Sequence, residues 1–387
     1  MRCGIEAEYL VLGPDGLAID TDLTRAAPDP ERMQRIVDRL PDHGDADLTR
    51  GDLAIKWSRW YVEGDERFDE AGTYLRCVTK GIETRTPVRP GPRAALNALA
   101  EQTRSLAGAA YQEGGCTLAG VGRHPWRGSY RPDPEYNAWE RDMRRTHREY
   151  AAPEVYMCTF GPDVNLSHAD WDAARSLQVA TRLAEHAAAL VVFSLNAPYA
   201  GGRRRPGLSA RTSVRAGRRP VVRLFLDEPR LTELRARQRR SGRPARLPAG
   251  VQVHRARIPS EHGRIEFKAF DAVADLPLLG GLLALCAGVA SATEVPAVPH
   301  GWGKLTQRDR LRRCATTGLH DDGLREWSAV LLDAAKQALP ADEAALLDPV
   351  RRLHTERRVP AEELIDLNRD RRPGTPIRLP PLHYPTP

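Results

Sequence analysis

The sequence predicts an α+β protein built on a mainly antiparallel sheet, and three observations carry that expectation. Four short segments alternate apolar and polar residues, each with an acid near its centre. Longer stretches with helical apolar spacing separate them. The alternating segments keep their polar residues on one face, as in an antiparallel sheet covered on one side rather than a parallel sheet buried on both.

The strand segments are Gly4 to Val11, Lys80 to Pro87, Thr159 to Ser167 and Gly263 to Asp271. Each is bounded by Gly, Pro or a polar cluster, such as the turn Gly13-Pro14-Asp15-Gly16 after the first. Helices are expected over 93–112, stopped by Gly114-Gly115, and over 169–193, 276–292 and 324–339. A further helix is expected over 341–357, broken or kinked at Pro349. The stretch 201–246, rich in Gly, Arg and Pro, reads as loop at its start and as helix over 228–240. With no internal repeat and no clear linker, the expectation is one domain over 1–368. Its strands lie within 4–271 and its helical part over 272–368, and an irregular Pro/Arg-rich tail follows over 369–387.

Composition narrows the class. The chain has 387 residues, 58 Lys plus Arg against 51 Asp plus Glu, and a net charge of +7. Its 41% hydrophobic and 28% charged residues exclude a collagen-like, coiled-coil or wholly disordered chain. Only five cations are lysines (Lys56, Lys80, Lys268, Lys304, Lys336), which leaves 58 − 5 = 53 arginines. With 51 acids interspersed, this excess reads as coding bias rather than a nucleic-acid surface. The six cysteines form no Cys-x-x-Cys pair, and no basic-then-apolar leader opens the chain, so a reducing cytoplasm is expected. The uncharged run Leu276 to Thr293 contains Pro277, Gly280, Gly281 and Gly288, which fits a helix buried in the core better than a membrane span.

The alternation has a chemical consequence. Side chains two apart on a strand share a face, so Glu6 and Glu8 point together, opposite Ile5, Ala7 and Tyr9. Glu83 shares a face with Arg85, Asp163 with Asn165, and Glu266 with Arg264 and Lys268. If the strands are neighbours, Glu6, Glu8, Glu83, Asp163 and Glu266 gather on one surface. They repel there unless divalent cations neutralise them, and all-oxygen ligation suits Mg²⁺ or Mn²⁺. Arg85, Arg264 and Lys268 would then meet phosphate or substrate carboxylate. The alternative is a solvated polar sheet face.

These residues resemble the carboxylate–amine ligases of the glutamate–cysteine ligase superfamily, which share a glutamine-synthetase-like fold. Gly4-Ile5-Glu6-Ala7-Glu8 resembles the family's first strand, and Glu83-Thr84-Arg85-Thr86-Pro87 its Glu-x-x-Thr-Pro strand. Gly122-Arg123-His124-Pro125 is similar to the Gly-x-His-Pro loop, and Gly161 to Ser167 to the Val-Asn-Leu strand. Ser194 to Tyr199, Ser209-Ala210-Arg211 and Ile265 to Asp271 follow in the family's order.

The resemblance implies a curved, mainly antiparallel sheet with helices on its outer face. It also implies ATP-dependent amide formation with Mg²⁺, or Mn²⁺, through an acyl phosphate. On that reading Glu6, Glu8, Glu83, Asp163 and Glu266 hold metal. Arg211 and Lys268 serve the transferred phosphoryl group, Ser209, Arg211 and Arg264 the nucleotide, and Arg85, His124 and Asn165 the substrate. Two departures stand out: Lys268 where the family has Arg, and Arg76 where the glutamate–cysteine ligases carry an acid. The expected substrates are a small carboxylate, glutamate the first candidate, and an amine: cysteine, a specialised metabolite, or a peptide or carrier protein. No nucleic-acid or membrane partner is expected. The rivals are a guanidino-kinase-like phosphotransferase on the same fold and an inactive homologue that binds an anionic partner. His168 reads as helix capping, the loop Arg203-Arg204-Arg205 as solvated, and Trp126, Trp139 and Trp171 as packing residues.

Overall fold

The computed structural model describes residues 1–20, 31–41, 58–147, 150–240, 247–256, 263–372 and 375–384. Its strands, in chain order, are β1 (Arg2–Leu12), β2 (Trp60–Phe68), β3 (Tyr74–Arg85), β4 (Arg89–Pro90), β5 (Thr117–Ala119), β6 (Asp163–Ser167), β7 (Tyr199–Ala200), β8 (Arg203–Arg204), β9 (Val222–Leu226), β10 (Val251–Arg255) and β11 (Arg264–Phe267). Nine of them form one curled sheet ordered β10-β9-β11-β6-β1-β3-β2, with β4 and β5 also on β1; β7 and β8 form a separate hairpin. Every pairing in the large sheet is antiparallel except β10 with β9.

All four strands expected from alternation are present, two of them shortened. Register explains why their apolar residues share a face: Ile5 faces Val164 and Tyr9 faces Ile82 across the ladder, while Ile265 faces Leu166. These residues are buried on the covered side of the sheet, where the helices Gly91–Gln112, Ala173–Glu185 and Leu276–Ser291 pack. The last is the uncharged run, and 14 of its 16 residues are buried. Its glycines permit close helix contact: a Cβ on Gly288 would lie 2.6 Å from the Ala335 Cβ. No helix among the described residues is long and apolar enough to cross a membrane.

Strands β2 and β9 carry no clean alternation signal. In β2 the residues Asp65, Glu66 and Arg67 are buried with their charges, and β9 lies inside the stretch read as loop. The helix Glu228–Arg240 of that stretch is present; residues 241–246, and 373–374 and 385–387 of the tail, lie outside the described residues. The helix expected over 169–193 is divided at His186 (φ −90°, ψ 6°) into Ala173–Glu185, Ala187–Val191 and a 3₁₀ turn over Val192–Ser194. Pro349 opens the helix Asp348–Glu356, so the expected break falls there. The helix Gly91–Gln112 follows Pro90, which offers no capping side chain. Glu343, 250 residues along, caps it instead by accepting the Arg93 amide at 3.0 Å.

His186 ties two of these helices together: its Nδ1 accepts from the Trp327 Nε1–H at 2.9 Å. Burial first, then Arg182 and Arg310, push its pKa down from 6.5 to about 4. The folded protein therefore holds the ring neutral where the unfolded chain protonates it. The stability so lost is absent above pH 6.5 and grows as pH falls toward 4, to about 3 kcal/mol. Urea melts of His186→Gln, which keeps an acceptor for Trp327, should show a shallower fall in stability over that window than wild type. Equal slopes would remove His186 from the linkage.

Candidate active site

The polar side of the sheet is assembled by register. On the central strand β1, Glu6 lies opposite Arg85 on one side and Asp163 on the other, while Glu8 lies opposite Glu83. Asn165 stands across from Glu266, and Glu266 from Arg223. Facing residues of an antiparallel ladder project from the same surface. The five expected carboxylates therefore come together, but as two groups rather than one. Glu6, Asp163 and Glu266 form the first, and Glu8, Glu83 and Glu63 the second. Within each group one oxygen per residue lies within 4.8 Å of the others.

Glu63 is the residue sequence reading missed. It lies on β2, a strand whose buried acids mask its alternation, and it pairs with Gly81 of β3. Beyond that pair the register jumps to Gly64 with Thr79, which leaves Lys80 as an extra residue. Gly64 is required at this bulge, because a Cβ there would sit 2.0 Å from the Val78 carbonyl oxygen. The bulge aims Lys80 at the site: its Nζ donates to Glu8 Oε1 at 2.7 Å, to Thr159 O at 3.0 Å and to Tyr156 O at 3.2 Å. The second Glu8 oxygen accepts the Gly161 amide at 2.7 Å. Burial alone would raise the Glu8 carboxyl, but Lys80, Arg211 and that amide outweigh it and hold the group below its ordinary value.

The first triad is met by three cations. Lys268 contacts Asp163 directly and lies 3.4 Å from Glu266. Arg264 lies 3.3 Å from Glu266 and 3.9 Å from Glu6, and donates to Asn165 Oδ1 at 2.7 Å. Arg223, which sequence reading also missed, lies 3.5 Å from Glu266. Asn165 donates in turn to Glu6 at 3.0 Å. Arg264 stacks 4.0 Å over the Phe225 ring, and His254 stacks on that ring from β10.

The other expected residues make further contacts around the triads. Arg85 donates to the Ser58 carbonyl at 2.9 Å and lies over the Tyr61 ring. Arg211 is 2% exposed, donates to Ala269 O at 3.0 Å and lies 3.5 Å from Asp271. Ser209 caps the helix Ala210–Arg215 through the Thr212 amide. His124 is buried. Its Nδ1 accepts the Trp126 and Arg127 amides, so the proton is on Nε2, which lies 3.0 Å from Asp20. Its side chain thus joins a buried Asp20–Arg127 cluster, whereas the resemblance implies a substrate contact. Asn196 holds backbone: Gly120 and Ala272 carbonyls accept from its amide. Arg76 is exposed and donates to Asp133 O. His168 accepts the Asp170 amide at 3.2 Å, and Arg203, Arg204 and Arg205 are exposed.

A buried network supports Lys80. Asp65, fully buried, accepts the hydroxyls of Tyr130, Tyr136 and Tyr156 at 2.7 to 2.8 Å and also pairs with Arg144. It thereby fixes Tyr156, whose carbonyl binds Lys80.

A family model of glutamate–cysteine ligase family 2 matches residues 76–378. The chain belongs to that family. The fold agrees. The glutamate–cysteine ligase of Francisella tularensis, solved with AMP, matches with TM-score 0.51 at 13% identity, over 96% of this chain and 85% of that one. A bifunctional glutathione synthetase from Pasteurella multocida matches with TM-score 0.53 at 12% identity, over 95% of this chain and 50% of that one. The ligase PafA in complex with the prokaryotic ubiquitin-like protein Pup matches with TM-score 0.49 at 14% identity, over 95% of this chain; the chain spans 65% of that one. No curated protein matches in sequence.

Asp65→Asn should leave Arg144 without its buried carboxylate and cost about 3–5 kcal/mol in urea unfolding. A cost below about 1 kcal/mol would show that the tyrosine network does not depend on the charge.

Proposed function

We propose that the protein is an ATP- and Mg²⁺-dependent ligase that joins a small carboxylate, glutamate the first candidate, to an amine. The amine is cysteine, a specialised metabolite, or a peptide or carrier-protein acceptor. The observation that carries this reading is the pair of carboxylate triads on one sheet face, with Arg223, Arg264 and Lys268 beside the first.

The donor set fits hard divalent ions: three carboxylates per triad, all oxygen, and no thiol or imidazole in either group. Glu6, Asp163 and Glu266 would hold one, and Glu8, Glu63 and Glu83 another. Mg²⁺, or Mn²⁺ in its place, supplies neutralisation of phosphate oxygens when bound. Arg264, Arg223 and Lys268 offer N–H donors to the phosphates, with Arg264 and Phe225 also near the nucleotide. Arg211 and the Ser209-capped helix support this region from behind, as positive potential under Glu8 rather than as direct contacts. Arg85 and Asn165 flank Glu6 and orient the substrate carboxylate. That carboxylate attacks the γ-phosphorus of ATP, ADP leaves, and the acyl phosphate is captured by the amine with release of phosphate. The chain's part is positioning and charge stabilisation.

Incubation with ATP, Mg²⁺ and a panel of carboxylates and amines, read by mass spectrometry, tests the reaction. Amide with ADP supports the ligase. A phosphorylated product without amide identifies the phosphotransferase, and absence of turnover the binding homologue. Glu6→Ala and Glu63→Gln should each lower ADP formation about a hundredfold or more, without loss of fold by circular dichroism. ADP release at the normal rate in Glu63→Gln would remove the second triad from the site.

A further inference from the structure

The two triads each carry one lysine, although the chain has only five lysines among 58 cations. The two lysines are held very differently. Lys80 is 2% exposed along its side chain, and its ammonium has three acceptors within 3.2 Å, one for each N–H. Its ammonium reaches from β3 to the Tyr156–Gly161 segment and cannot leave without unpairing the buried Thr159 carbonyl, the Tyr156 carbonyl and Glu8. Lys268 is 17% exposed along its side chain, and among the described residues its ammonium is held by Asp163 and Glu266 of the first triad. Its backbone is fixed, because its amide donates to Val221 O at 2.8 Å and Arg215 donates to its carbonyl at 3.2 Å. Its side chain is free of that anchorage, a four-carbon stem with rotatable bonds and a point charge at its end.

We infer that Lys268 is a displaceable counter-ion of the Glu6–Asp163–Glu266 triad, whereas Lys80 is a permanent one of the Glu8–Glu63–Glu83 triad. A divalent ion entering the first triad must take Asp163 from the Lys268 ammonium. The released ammonium, still tethered at the rim of the same triad, then faces the phosphate that the ion itself attracts. Occupancy by metal and capture of the anion are thus coupled through one side chain. This gives lysine a reason to stand at 268, since a bidentate arginine fork on Asp163 would be harder to remove. The inference rests on the proposed metal reading of the triads.

Mn²⁺ binding followed by the electron paramagnetic resonance of the free ion, with and without a non-hydrolysable ATP analogue, tests it on Lys268→Met and Lys268→Gln. Removal of a positive charge that contacts a ligand oxygen should tighten Mn²⁺ binding in the absence of nucleotide by about tenfold or more. The same variants should bind the analogue more weakly than wild type once Mn²⁺ is present. Opposite signs for metal and nucleotide are the signature. Mn²⁺ binding that is unchanged or weakened in both variants, with wild type binding normally, overturns the displacement alone. Absence of Mn²⁺ binding in wild type and variants alike overturns the metal reading on which it rests.

Discussion

Two groups of three carboxylates on one sheet face are held at short range, and the rest of the structure is arranged around that repulsion. At 4.8 Å two carboxylates repel by about 3 kcal/mol in a partly screened environment. The sheet supplies cations within a few ångströms of both groups: Lys80 from a bulge in β3, Arg223 from β9, and Arg264 and Lys268 from and just beyond β11. Without those cations the register that brings the acids together becomes costly.

The same logic extends outward. Lys80 needs Tyr156, which needs Asp65, which is held by two more tyrosines and Arg144. Buried charges elsewhere are also paired, as Arg67 with Glu140 and Arg127 with Asp20. Part of the arginine excess is thereby accounted for: guanidinium groups clamp buried carboxylates, a task that suits a planar fork better than an ammonium. At the triads, where a compact and in one case movable charge is wanted, the chain uses two of its few lysines.

Some of this was legible without coordinates. Glu6, Glu8, Glu83, Asp163 and Glu266 were visible because β1, β3, β6 and β11 alternate cleanly, and a period of two says which side chains share a face whatever the neighbours are. Glu63 and Arg223 were not visible. β2 buries Asp65 and Arg67 through partners 65 to 91 residues away in sequence, so its polarity gives no alternation. β9 lies in a stretch whose Gly, Arg and Pro content resembles a loop.

The local pattern alone determined the strands with one wet and one dry face, the central helix Leu276–Ser291, and the sharing of one face by acids and basic residues within each strand. Those follow from side-chain spacing and apolar burial, which are properties of neighbouring residues. Only the tertiary structure decided that the acids divide into two triads, that Glu63 completes one of them, and that His124 turns inward to Asp20. Only it distinguished the enclosed Lys80 from the partly exposed Lys268. Register between strands, a one-residue bulge and long-range hydrogen bonds set these, and each depends on residues far apart in the chain.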